Sequence, residues 1–103
     1  MPTILIVEDE AKMRRLLELN LGEDGFHTVS AGDAESGLKL LHESDVDLVV
    51  TDLKLPGMNG LDFLHAIKGQ NAALPVVVMT AFGSVETAVE AMKAGASDYV
   101  LKP

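Results

Sequence analysis

Four short apolar runs, Thr3 to Val7, Asp47 to Thr51, Val76 to Thr80 and Asp98 to Leu101, carry Val, Ile and Leu without regular polar alternation. Runs of this kind suit strands covered on both faces, which occur almost only in parallel sheets flanked by helices. His27 to Ser30 reads as a weaker fifth strand. Between the runs lie segments of helical period. Ala34, Gly37, Leu38 and Leu41 fall at i, i+3, i+4 and i+7, and so do Val85, Ala88, Val89 and Met92. Asp33 and Ser84 stand where an N-cap is expected, and Gly95 where the second of these helices needs a left-handed residue to end. Helices over about Ala11 to Leu21, with Met13, Leu16 and Leu17 inward, and over about Leu61 to Lys68, with Phe63, Leu64 and Ile67 inward, complete a repeated βαβ alternation. The expected class is α/β with a parallel sheet.

Composition narrows the function. At 103 residues the chain has room for one domain, and 48% hydrophobic residues suffice for its core. Sixteen acidic against eight basic side chains give a net charge of −8, which repels phosphate backbones, so no direct nucleic-acid partner is expected. Cysteine is absent, which excludes disulfides, thiolate metal sites and cysteine nucleophiles. No apolar run is long enough to span a membrane, and the start MPTILIVEDE lacks the pattern of a secretory signal, so no membrane partner and a cytoplasmic location are expected.

Ligands of open parallel sheets bind at the carboxyl ends of the strands, where strand order reverses. Charge collects there in this chain: Glu8 and Asp9 follow the first strand, Asp52 the third, Thr80 ends the fourth and Lys102 the last. Carboxylates within about 4 to 5 Å repel by roughly 1 to 4 kcal/mol per pair, and a hard divalent cation such as Mg²⁺ relieves that repulsion. Such an ion also accepts phosphate oxygens. Lys102 offers a compact positive charge to a phosphoryl group, Thr80 a hydroxyl donor, and Asp52 a carboxylate nucleophile of the aspartyl-phosphate kind. Each residue alone has an ordinary structural explanation, such as helix-dipole balance for Glu8 and Asp9 or strand propensity for Thr80. Together they make a phosphoryl-transfer site. His27, His42 and His65 show no metal-binding spacing, and residues Leu55 to Gly60 lack the pattern of a phosphate-binding P-loop.

From VEDE through TDLKLPGMNGLDFL and VVVMTAFG to SDYVLKP, the whole chain resembles the response-regulator receiver domains of two-component signalling. The stretch TAFGSVETAVEAMKAGASDYVLKP is further similar to receivers of nitrogen-regulator (NtrC) type enhancer-binding activators. The resemblance implies a flavodoxin-like, doubly wound five-stranded parallel sheet in the order 2-1-3-4-5. It makes Asp52 the phosphoacceptor, Asp9 the main carboxylate on Mg²⁺, Glu8 its partner acting largely through water, and the Lys54 backbone carbonyl a further ligand. Thr80 and Lys102 would hold the phosphoryl oxygens, and Tyr99 would be the switch aromatic. A sensor histidine kinase would supply the phosphoryl group, the domain would assist its own phosphorylation and dephosphorylation, and the surface around the fourth helix and fifth strand would control an output domain, with transcription as the regulated process.

Two departures from the family pattern are visible: Glu8 stands where many members have Asp, and the chain stops at Pro103, before the usual fifth helix. The second leads to the expectation of a truncated receiver, residues 1–103, that self-associates through the sheet face which four helices leave bare. The resemblance also implies a cis Lys102–Pro103 bond. Other readings of the same topology fare worse. A haloacid-dehalogenase-like hydrolase needs a second Asp where Lys54 stands, and a flavin carrier needs a phosphate loop where Glu8 and Asp9 would repel the ligand. A phosphate-independent adaptor of the same fold is the remaining alternative.

Overall fold

Every buried strand of a parallel sheet needs cover on two sides, and the chain supplies it with alternating elements. The computed structural model describes residues 1–81 and 83–102. In chain order the elements are β1 (Thr3–Val7), α1 (Ala11–Glu23), β2 (His27–Ala31), α2 (Ala34–Glu43), β3 (Leu48–Thr51), α3 (Gly60–Gln70), β4 (Val76–Thr80), α4 (Val85–Lys93) and β5 (Asp98–Leu101). The five strands form one parallel sheet in the order β2-β1-β3-β4-β5. Three strands have the bounds expected from the sequence; β2 runs one residue further, to Ala31, and β3 starts one later, at Leu48. The Lys102–Pro103 bond lies outside the described residues.

Register fixes which side chains share a face. Leu5, Val7, Val49, Val76 and Val78 point to one side, where they pack with Ala34 of α2, Phe63, Leu64 and Ile67 of α3, and Ala91 of α4. Ile4, Ile6 and Val50 point to the other, where Leu17 and Leu21 of α1 and Phe26 cover them. One helix thus serves one face and three the other, as a single reversal of direction in the strand order requires. On the α1 side Val77 and Met79 of β4 are only half-buried, and Val100 of β5 is exposed.

The expected helix signals are present. Asp33 caps α2 by accepting from the Ser36 N–H at 2.7 Å, and Ser84 caps α4 by accepting from the Thr87 N–H at 3.1 Å. Gly95, at φ +106°, follows α4 in the left-handed conformation. One inward assignment needs correction, and the direction of the α4 stripe, which periodicity alone does not give, is set by the fold. In α1, Leu17 packs inward but Leu16 is 49% exposed. In α4 the stripe of Val85, Val89 and Met92 faces solvent, with Val85 81% exposed, while Ala91 is the residue buried against the core. The core-facing position of that helix is thus filled by the small Ala91, and its bulky apolar residues lie on the outer side.

Candidate functional site

Strand order reverses between β1 and β3, and the crevice at their carboxyl ends holds the charged groups. Two hydrogen bonds prolong the sheet past its formal end: the Glu8 N–H donates to the Ala31 carbonyl at 3.0 Å, and the Asp52 N–H to the Val7 carbonyl at 3.2 Å. They fix Glu8 and Asp52 as near neighbours. On the far side the Lys102 N–H donates to the Thr80 carbonyl at 2.9 Å, continuing the pairing of β4 with β5. Glu8, Asp9, Asp52, Lys54, Ala81 and Lys102 line a common cavity of about 640 Å³.

Glu8 is 2% exposed and Asp52 7%, whereas Asp9 faces solvent; one carboxylate oxygen from each lies within 4.8 Å of the others. Burying carboxylates so close together requires compensation. Lys102 provides part of it, since its Nζ donates to Glu8 Oε1 and, at 2.8 Å, to Asp52 Oδ2. Backbone donors hold the same groups, with the Lys54 N–H on Asp52 Oδ1 at 3.1 Å and the Glu10 N–H on Glu8 Oε2 at 3.1 Å. Burial pushes the Glu8 carboxyl above its ordinary range, and the Lys102 contact opposes that only in part. For Lys102, burial works against the ammonium, yet its hydrogen bonds to Asp52 and Glu8 outweigh burial and hold it above the ordinary lysine range.

Three carboxylates facing one ammonium leave a formal excess of two negative charges, which matches one divalent cation. The donors are all hard oxygens beside a cavity with room for waters, so the residues fit Mg²⁺ better than a soft metal. Among the described residues this is the one such cluster.

The expected site residues fall into two groups. Glu8, Asp9, Asp52, Lys54 and Lys102 meet at the cavity. Thr80 is buried at the end of β4, on the same sheet face as Tyr99, which lies opposite Val78. The Tyr99 hydroxyl is 2.9 Å from Thr87 Oγ1 on α4. His27, His42 and His65 are all exposed and away from the cavity. Two further residues, Arg14 and Thr87, take part without a clear signal in the sequence. Arg14 Nη1 donates to the Glu8 carbonyl at 2.8 Å, tying the first turns of α1 to the acidic loop. Thr87 was hidden because its partner Tyr99 is twelve residues away, although the Ser84-x-x-Thr87 spacing of a capping box was a usable signal.

Comparison with known proteins points the same way. Residues 4–103 match the family described as the response regulator receiver domain. The two-component response regulator PhoP of Pseudomonas aeruginosa is 44% identical over 97% of this chain and 44% of its own. The transcriptional regulatory protein ZraR of Salmonella typhimurium is 42% identical over 97% of this chain and 23% of its own. The chain thus spans less than half the length of either relative. The crystal structure of the response regulator protein TrrA from Thermotoga maritima, in complex with Mg²⁺ and BeF, superposes with a TM-score of 0.91 at 30% identity, over 100% of this chain and 88% of that one.

Proposed function

Since the chain belongs to the response regulator receiver domain family, we propose that Asp52 is its phosphoacceptor, that the donor is the phosphohistidine of a sensor kinase, and that Asp9, Asp52, Glu8 through water and the Lys54 carbonyl hold Mg²⁺. One observation carries this reading. Asp52 is fixed by the Lys54 N–H on one oxygen and by Lys102 on the other, at a cavity where Glu8 and Asp9 add hard oxygen donors.

Chemically, a carboxylate oxygen of Asp52 forms a bond to phosphorus as the phosphorus–nitrogen bond of the donor breaks, its electron pair leaving on the imidazole. When bound, Mg²⁺ neutralises charge on the phosphoryl oxygens. The transition state is loose, so positioning and charge neutralisation supply most of the acceleration. Lys102, already between Glu8 and Asp52, is a short movement from a phosphoryl oxygen, and Thr80 offers its hydroxyl to another. The modified Asp52 carries about two negative charges. Thr80 turning toward them lets Tyr99 move inward on the face the two share, which alters the outer surface of α4 and β5. That surface suits an interaction, since Val85, Val89, Met92 and Leu101 are exposed there.

In this reading the domain assists its own phosphorylation and dephosphorylation in the cytoplasm and controls an output domain that regulates transcription, in keeping with the name of ZraR. Among the described residues no helix is long and apolar enough to cross a membrane. The test of the central claim is intact mass after treatment with a small phosphodonor and Mg²⁺. We expect one acid-labile phosphoryl group on the wild type and none on Asp52→Asn; an equal adduct on the variant would refute the assignment.

A further inference from the structure

Thr87 Oγ1 sits at a junction. The Ser84 N–H donates to it at 3.0 Å, it lies 3.1 Å from both the Ser84 carbonyl and Ser84 Oγ, and the Tyr99 hydroxyl is 2.9 Å away. A hydroxyl has one proton and two lone pairs. One lone pair takes the Ser84 N–H, which leaves the proton and the second lone pair for the Ser84 oxygens and the Tyr99 hydroxyl, and in the Tyr99 contact either oxygen can donate. The group is then fully used. Tyr99 is thereby tied to the capping box of α4 while its ring packs against the main core.

We propose that Thr87 is a positioning residue for Tyr99: its hydrogen bond holds the aromatic ring at the first turn of α4 and so sets how much occupancy at Asp52 is needed to draw it inward. This rests on the reading of Asp52 as phosphoacceptor and Tyr99 as switch. Inward movement of the ring along the sheet face it shares with Thr80 must break the 2.9 Å bond, whereas the Ser84 cap survives the break because its own bonds to Thr87 do not involve Tyr99. Without the Thr87 hydroxyl the ring starts free of that restraint, and the equilibrium shifts by the worth of one hydrogen bond.

The chain has one tyrosine and no tryptophan, so its intrinsic fluorescence reports Tyr99 alone. The experiment titrates beryllofluoride, a phosphoryl mimic, at fixed Mg²⁺ and follows that signal. In Thr87→Val and Thr87→Ala the midpoint should fall about three- to tenfold, the worth of a typical hydrogen bond, while Thr87→Ser should stay within about twofold of wild type. Ser84→Ala, which weakens the cap but keeps the tether, should also stay at the wild-type midpoint. Midpoints unchanged in both hydroxyl-free variants, or an equal fall in Ser84→Ala, overturn the proposal. A wild-type Tyr99 signal that never changes, although mass analysis finds Asp52 phosphorylated, overturns it as well and leaves the phosphoacceptor reading standing. Absence of any phosphorylation removes that reading first, and this one with it.

Discussion

Lys102 has two tasks that a single substitution separates. In the structure it is the counter-ion of Glu8 and Asp52; in the proposed reaction it faces the phosphoryl group. Lys102→Met keeps the bulk of the stem and deletes the charge, leaving two buried carboxylates facing each other. Removing one partner of a buried ion pair typically costs about 3 kcal/mol or more, because the remaining charge is uncompensated. We expect thermal unfolding of Lys102→Met without divalent cations to begin well below that of the wild type, and millimolar Mg²⁺ to raise its midpoint more than it raises the wild type's, since the added cation replaces the lost ammonium. Equal Mg²⁺ shifts in the two proteins would mean that the cation binds elsewhere, and Asp9→Ala, expected to lose most of the shift, is the control. At this scale the identities of the charged residues were legible because their types and places at strand ends already limit the chemistry. Arg14 was not, since its role is a bond to a backbone carbonyl, and no residue type announces which carbonyl it will meet.

Among the elements, the starts of α2 and α4 match the expectation, whereas α1 and α3 run two residues past their expected ends and α3 begins one earlier, at Gly60. A capping side chain acts within three residues, so Asp33 and Ser84 could be assigned from local sequence, and the bond from the Ser36 N–H holds the Asp33 carboxyl below its ordinary value of 3.8. The sign follows: the ionised form is favoured in the folded state, so the stabilisation it gives is complete above 3.8 and fades as pH falls through the depressed value. The Ser36 amide resonance should accordingly titrate with a midpoint below 3.8 in the wild type and show no such step in Asp33→Asn; a midpoint at or above 3.8 contradicts the cap. Faces are harder because periodicity finds a stripe without finding its partner. The stripe of α4 is real, yet Val85, Val89 and Met92 point outward. Gly60 shows a constraint that only the fold reveals. It opens α3 where its N–H reaches the Leu53 carbonyl at 3.1 Å, and a Cβ there would fall inside the Leu53 backbone. Because main chain rather than a flexible side-chain end must give way, Gly60→Ala should cost about 2 kcal/mol in urea unfolding and weaken Mg²⁺ binding by displacing the loop that carries Asp52 and Lys54.

For the molecule as a whole, strand order and right-handed connections together settle how the two faces are covered, which is why a layered α/β architecture could be anticipated from unalternated apolar runs. The exposed strip could be anticipated only in outline. Val77 and Met79 prove half-buried rather than bare, because they pack against the cluster of Ile4, Ile6 and Val50, and Val100, 38% exposed, marks the open edge. An apolar strip on a parallel sheet favours burial against another surface, and for residues 1–103 taken by themselves a second copy can supply one. We therefore expect the 103-residue chain to show a concentration-dependent rise in mass by light scattering coupled to size exclusion. Val100→Glu, at an exposed edge position where the charge can remain solvated, should abolish that rise while leaving the thermal midpoint of dilute protein close to the wild-type value. A strictly monomeric wild type at high concentration would overturn the expectation, whereas association that persists in Val100→Glu would place the contact elsewhere and point to the outward apolar stripe of α4, which Val85→Glu then tests in the same way.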